Sequence, residues 1–506
     1  MESVSSRHAG DLGGTLGSFD PSQAVTVQIA IDPDLAHTPA VQHAAWMLVN
    51  LLARAEGIVA AIRVVPDPDV PVRERTIPFG TAGHLHDRLA EAGTAIGVVP
   101  VTLGIAPADR VIVVGHRHPT TDEDSTALIA LGAGWWGGVA FGPVRAAAWA
   151  DVDAARDEPI GPYIAASLAA ADVFLRIRDP RAAEISADRY GWNAWTSQPD
   201  NIPSQLGPGV RDVVLDSVGL AGVGAVGAAW MHTVWATSSV TGGVLAVDAD
   251  AEGVSISNLN RGLLFCRKHL SAPKAATAAA VAAGSVEWDP RQGYFETEQP
   301  RPALLISAVD TNNARDALQA LYSAQTLSAS TQDLRAEVSV AGSPGVGACL
   351  RCFNTPEPTL SDSQLRARAR HGGHAIIREL SEEIGVDTDD VQRRLDTPGC
   401  DTISDRMLTQ LRAKYGQDAA PARFAVGFTS AMAGVLLAAE TFRLFLDPTS
   451  RPLAASARTT FQFRRPASPL NGTRAYPRDQ ACPKCAPTTP AMAIWRARHE
   501  KWQLSS

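Results

Sequence analysis

The sequence predicts an α/β protein with two domains in tandem, each built on a mainly parallel sheet. Three observations carry that prediction. Short β-type apolar runs alternate with helix-spaced ones from Val25 onward, the alternation restarts near Val213, and a polar stretch bearing Pro180, Pro199, Pro203 and Pro208 lies between. Strand–helix–strand alternation implies parallel strands joined by right-handed crossovers.

Residues 1–24 carry Ser, Gly and His without the apolar core of a signal peptide, and read as a flexible tail. Val25–Ile31 is strand-like, and Val41 to Arg54 has helical spacing through Ala44, Ala45, Leu48, Leu51 and Leu52. Ile58–Val65 and Val111–Gly115 are further strands, and Ile164–Ile177 is a packing helix that closes a first domain over 25–200. Asp179 to Pro208 reads as a polar, linker-like stretch, and the linker between the domains is placed at 201–212.

The second domain is expected over 213–506. A strand through Val213, Leu215 and Val218 leads to a helix over Ala225–Ala236, then strands Gly243–Asp248 and Leu304–Asp310, the last ending on a carboxylate. Residues 354–424 turn charged, with Arg366, Arg368, Arg370, Glu382 and Glu383, and predict an inserted helical or crossover segment. Ala425 to Leu446 approaches membrane-spanning length, but Glu440 and Arg443 interrupt it, so a buried core helix is expected and no membrane. Trp135, Trp136, Trp192 and Trp195 read as packing residues or interface anchors.

A 45% hydrophobic and 19% charged composition over 506 residues is that of a soluble protein with well-buried cores. The net charge of −8 offers no basic stripe to a nucleic acid. Six cysteines are too few for a disulfide framework and fit a reducing cytoplasm.

Chemistry concentrates in the second domain. Gly222-Val-Gly224-Ala-Val-Gly227 follows a buried strand and opens a helix. In such a turn Gly222 permits the bend, Gly224 lets backbone approach phosphate oxygens, and Gly227 lets helix pack on sheet. Asp248, at the next strand end, stands where a carboxylate accepts ribose hydroxyls. A nicotinamide-dependent dehydrogenase would satisfy these features equally well. Cys349-Leu-Arg-Cys352 and Cys482-Pro-Lys-Cys485 offer four thiolates to a structural Zn²⁺, with two redox dithiols as the rival reading. His116-Arg117-His118 with Asp122, Glu123 and Asp124 reads as an ordinary polar loop after a strand.

Residues beyond the glycine turn separate the alternatives. Asp250 is succeeded by Asn258-Leu259-Asn260-Arg261, then Lys274, and later Val309-Asp310-Thr311-Asn312 with Arg315. This order, closed by two Cys-x-x-Cys pairs around a long helix, resembles the ThiF/MoeB-type adenylating enzymes, the superfamily that includes ubiquitin-activating enzymes. The resemblance covers about Val213 to Cys485. Here the loop from Asp250 to Asn258 is slightly longer than the family's, Val309 stands in place of threonine and Gly262 in place of glutamine.

The resemblance implies tandem Rossmann-like domains, the first an inactive adenylation-like partner, the second carrying a four-cysteine zinc site. It implies ATP, Mg²⁺ and Zn²⁺ as cofactors, and adenylation of the C-terminal carboxylate of a ubiquitin-like or sulfur-carrier protein, or of a peptide. Catalytic roles fall on Arg261, Lys274 and Asp310; nucleotide contacts fall on Gly222, Gly224, Gly227, Asp248, Asp250 and Asn258 as well. The physical logic agrees: two anions must meet, so Arg261 and Lys274 supply cations and Asp310 a carboxylate for Mg²⁺. Cys400 is the candidate thioester nucleophile, with onward transfer to a conjugating partner, while Cys266 reads as structural. The family's dimers leave homodimerisation open. A catalytically dead binding scaffold is the remaining alternative.

Overall fold

In the computed structural model two eight-stranded sheets share one strand order. The structure describes residues 3–10, 16–65, 69–117, 127–142, 147–179, 188–295, 301–342, 347–355, 362–396, 402–411, 424–447, 456–466, 468–490, 492–493 and 495.

The first sheet holds β1 (Val25–Ile31), β2 (Val59–Val64), β3 (Val101–Leu103), β4 (Arg110–Val114), β5 (Leu128–Ala133), β6 (Trp136–Phe141), β7 (Arg189–Asn193) and β8 (Gln198–Pro199), in the order β3-β2-β1-β4-β5-β6-β7-β8. Pairing is parallel from β3 to β5 and antiparallel from β5 to β8. Its helices are α1 (Pro39–Leu52), α2 (Leu85–Ile96) and α3 (Ile160–Arg178). Pro39 starts α1, where a missing N–H costs nothing, and Gly97 ends α2 at a φ of 74°.

The second sheet repeats the plan. It runs through β9 (Val214–Ala221), α4 (Ala225–Ala236), β10 (Thr241–Asp248), α5 (Lys274–Val281), β11 (Val286–Gln292), β12 (Leu304–Ser307), α6 (Asn312–Gln319), β13 (Gln325–Gln332), β14 (Arg335–Ala341) and α7 (Leu350–Phe353). Pro356–Arg423 form a compact unit of their own, with α8 (Asp362–His371), α9 (Gly373–Ile384), α10 (Thr388–Asp396) and α11 (Thr402–Leu411) around Leu380, Val391, Leu395 and Leu411. The remaining elements are α12 (Gly427–Leu446), β15 (Ala457–Gln462) and β16 (Gly472–Ala475). The order β11-β10-β9-β12-β13-β14-β15-β16 reproduces the first sheet, with the same change from parallel to antiparallel pairing at the fifth strand.

Helices at matching places join the halves. α3 packs on α1, β5 and β6, α12 packs on α4, β13 and β14, and α3 and α12 touch each other. Both are long and apolar enough to cross a membrane, yet both are buried in protein. The charges inside α12 are matched: Arg443 Nη1 lies 3.5 Å from Glu440 Oε1, and Arg443 donates to the Ala194 carbonyl of the first half and sits 5.3 Å from the Trp195 ring. Trp135, Trp136 and Trp192 are fully buried, and Trp195 packs edge-on against Trp135.

Two readings of the first half differ from the structure. Asp179 to Pro208 is not simply linker, because β7 and β8 lie within it. Tyr190 and Trp192 are buried there, and Pro199 is tolerated because β8 is an edge strand. The tail also has structure: Val4–Arg7 is a 3-10 turn, and Val4, His8 and Leu16 are buried. Arg178, itself fully buried, donates to the carbonyls of His8 (2.6 Å), Gly10 (2.7 Å) and Gly17 (3.1 Å). Local composition contains no trace of that distant arginine.

The contact between α4 and α12 is close because Gly434 has no side chain. A Cβ there would lie 2.8 Å from both Trp230 N and Val226 O. Gly434→Val should therefore cost about 1–3 kcal/mol and lower the thermal midpoint by several degrees, whereas an unchanged midpoint would contradict this packing.

Candidate active site

β9 lies between β10 and β12, so its C-terminal end is the topological switch point of the parallel sheet, where such folds open a crevice. The chain turns there at Gly222, whose φ is 90° and whose Cβ would stand 2.8 Å from Ala308 O at the end of β12. A Cβ at Gly227 would collide with Gly222 O, whereas one at Gly224 meets nothing within 4 Å. The outer two glycines thus answer to the protein, and the middle one faces open space. Gly224 is the N-cap of α4 and supplies no side chain to its first amides, which suits an anion.

A chain of polar contacts leads away from the turn. Val223 N–H donates to Asp248 Oδ2 at 2.6 Å, Asp250 N–H to Asp248 Oδ1 at 3.0 Å, and the Lys274 ammonium to Asp250 Oδ2. Lys274 is buried at the first position of α5. Desolvation pushes the Asp250 carboxyl up, but the hydrogen bond and charge of Lys274, helped by nearby amides, hold it below its ordinary value. The predicted turn, acidic strand end and lysine therefore form one connected cluster.

The other predicted residues have local duties in their own segments. Asn258 Oδ1 accepts from Ser255 N–H at 2.9 Å, closing the 3-10 turn Ile256–Asn260. Arg261 Nη1 donates to Ser257 O (2.9 Å) and Asn260 Oδ1 (2.8 Å). β12 stops at Ser307, so Asp310 does not end the strand as expected. It is exposed in the loop before Thr311, whose hydroxyl accepts from Ala314 N–H at 3.2 Å and caps α6. The threonine's capping geometry ends the extended conformation early. Arg315 is buried and donates to Asn312 Oδ1 (2.9 Å) and Val309 O (2.5 Å), fixing this loop. Cys400 lies outside the described residues.

The first half treats the matching place differently. After β1 the chain continues into Asp32, which is buried, and Asp32 Oδ2 accepts from His116 N–H at 2.8 Å and Arg117 N–H at 2.9 Å just past β4. A carboxylate of the chain itself takes up amides at the first sheet's switch point. Residues 118–126, the rest of the polar loop, lie outside the described residues.

Sequence reasoning missed two residues. Asn50, in the last turn of α1, and Arg54, just past its C-cap, reach the carbonyls of Leu259, Leu263 and Phe265 around Arg261. Their signal was a polar pair four residues apart, Asn50 in the apolar run that ends α1 and Arg54 just beyond it.

The four cysteines of the two pairs come together, with Sγ separations of 3.8 Å (Cys349–Cys352), 3.7 Å (Cys349–Cys482) and 3.5 Å (Cys352–Cys485). A tetrahedron with Zn–S bonds of about 2.3 Å has edges of about 3.8 Å, so the set fits zinc. Asp316 of α6 ties the two knuckles together, with Arg351 Nη1 at 2.6 Å and Lys484 Nζ at 3.6 Å. Leu350 N–H donates to Gln319 Oε1 at 2.7 Å. A metal here would brace the helix that comes after Asp310. Cys266 is buried 3.4 Å from His269 Nδ1, and burial raises its pKa, as suits a structural thiol.

A glycine turn at a switch point, an acidic strand end, a buried lysine and a distant cluster of four cysteines define an adenylating type of α/β protein. The chain belongs to the ThiF family, which matches residues 208–484. Residues 26–193 match the BilD N-terminal domain. Among solved structures, the crystal structure of E. coli MccB with MccA-N7isoAsn is similar at 13% identity and a TM-score of 0.34, covering 53% of this chain and 66% of that one. No curated protein matches.

The cysteine geometry predicts about one Zn²⁺ per chain by metal analysis, lost in Cys485→Ser. Metal-free protein with a reversible dithiol titration would favour the redox reading instead.

Proposed function

We propose that the second half binds ATP·Mg²⁺ and adenylates the C-terminal carboxylate of a ubiquitin-like or sulfur-carrier protein, or of a peptide. The connected contacts from Val223 through Asp248 and Asp250 to Lys274 carry this reading, and ThiF-family membership supports it. A carboxylate oxygen attacks the α-phosphorus, the bond to the β-phosphate oxygen breaks, and pyrophosphate leaves an acyl adenylate behind.

Each residue then has a charge-based task. The Gly224 turn and the first amides of α4 take phosphate oxygens. Asp248 spends one oxygen on Val223 and the other on Asp250, but a carboxylate has about four acceptor sites and so can still receive ribose hydroxyls. Lys274 is held by Asp250 as a buried ammonium for the polyphosphate, and Arg261 brings a planar fork to phosphate oxygens. Asp310 would hold Mg²⁺, which neutralises the charge developing on the leaving pyrophosphate. Cys400 would then attack the acyl carbon as thiolate and expel AMP, giving a thioester for a conjugating partner.

The first half serves as the inactive partner: β1 runs into Asp32 where β9 runs into a glycine turn, and Asp32 is engaged with the amides of His116 and Arg117 just past β4. The tandem pairing supplies within one chain what the resemblance assigns to dimers. A cytoplasmic location suits an enzyme that keeps free thiols and uses ATP.

Pyrophosphate–ATP exchange with a panel of small ubiquitin-like proteins bearing free C-termini tests the reading. Exchange should require Mg²⁺ and a free C-terminal carboxylate, and fall at least about 100-fold in Asp310→Ala and Lys274→Ala. Cys400→Ala should lose any thioester yet retain exchange. Tight nicotinamide binding without exchange would favour a dehydrogenase, and full biological activity in Asp310→Ala would favour a scaffold.

A further inference from the structure

Arg54 is fully buried, and among the described residues its hydrogen bonds go to no carboxylate. Removing a guanidinium from water costs several kcal/mol unless its donors are met. Here each nitrogen finds an acceptor. Nε donates to Asn50 Oδ1 at 2.7 Å, Nη1 to Leu259 O at 2.9 Å, and Nη2 to Leu263 O at 3.2 Å and Phe265 O at 2.7 Å. Asn50 Nδ2 adds a further bond to Leu263 O at 3.2 Å.

The three carbonyls bracket Asn260-Arg261-Gly262. This stretch belongs to no strand or α-helix: it leaves the 3-10 turn Ile256–Asn260 and stays irregular up to Cys266. Short-range bonds from Arg261 and Gly262 N–H to Asn258 O and from Phe265 N–H to Gly262 O turn the chain, and the planar fork of Arg54 ties three of its carbonyls to the first half. Asn50 stands in the last turn of α1 and Arg54 just past its C-cap, both in the first half, whereas the segment they grip belongs to the second.

We propose that Arg54 is a positioning residue for the nucleotide site, fixing the 259–265 segment so that Arg261 presents its guanidinium to phosphate. The proposal rests on the reading of Arg261 as a phosphate ligand. It gives the first half a task beyond covering apolar surface: it shapes the phosphate-binding segment of its neighbour through one buried cation.

The test is calorimetric binding of ATP·Mg²⁺ to the full chain, run well below each variant's melting midpoint and paired with hydrogen exchange at 259–265. Arg54→Met should weaken ATP at least about 10-fold and speed exchange across 259–265. Arg54→Lys should do nearly as much, since a single ammonium cannot serve three carbonyls and Asn50. Asn50→Leu, which leaves the charge in place, should show a smaller loss and covers the case in which Arg54→Met does not fold. Arg443→Met removes another buried arginine that crosses the halves away from the site, and should lower the melting midpoint without moving the ATP dissociation constant. Wild-type affinity in folded Arg54→Met or Arg54→Lys would overturn the proposal and leave the adenylation reading intact. Failure of the wild-type chain to bind ATP would overturn both.

Discussion

The structure depends on burying two helices, α3 and α12, that are apolar on nearly every side. A helix of that kind cannot face water, and each here covers one sheet on one side and the other half's helix on the opposite side. The two halves must therefore be made together. Once they are, polar groups stranded at the junction need partners across it. Arg443 reaches Ala194 in one direction, and Arg54 reaches Leu259, Leu263 and Phe265 in the other. Neither half is electrostatically complete alone.

The two halves share one strand plan and differ at its switch point. Both put the C-terminal end of a central strand at the switch point of a parallel sheet. In the second half that end bends through Gly222 and opens on Gly224, with amides free of side-chain caps. In the first half β1 runs instead into Asp32, which accepts from the amides of His116 and Arg117 just past β4. Under the proposed function, the glycine turn before a helix N-terminus marks the half that takes phosphate, and an acidic residue after the matching strand marks the half that does not.

How much was legible in the sequence tracks the range of the forces involved. The strand, turn and helix from Val214 to Ala236 were readable, because glycine spacing and apolar periodicity are local. The cysteines were readable too, since two close pairs must meet if one ion binds them. The end of β12 was misplaced by three residues because Thr311 caps α6 and draws Asp310 into the loop. β7 and the N-terminal turn were hidden for another reason: prolines and polar residues mask their role, and what orders them comes from far along the chain, through Trp136, Phe461 and Arg178. Arg54 belongs to the same group, since the carbonyls it holds lie more than two hundred residues away.

A structure of the chain with a non-hydrolysable ATP analogue and Mg²⁺ tests the central claim most directly. The account predicts phosphates against Gly224 and the start of α4, with Lys274 and Arg261 on their oxygens and Asp310 on the metal. Nucleotide bound in the first half beside Asp32, or a triphosphate that leaves Lys274 and Arg261 untouched, would contradict it.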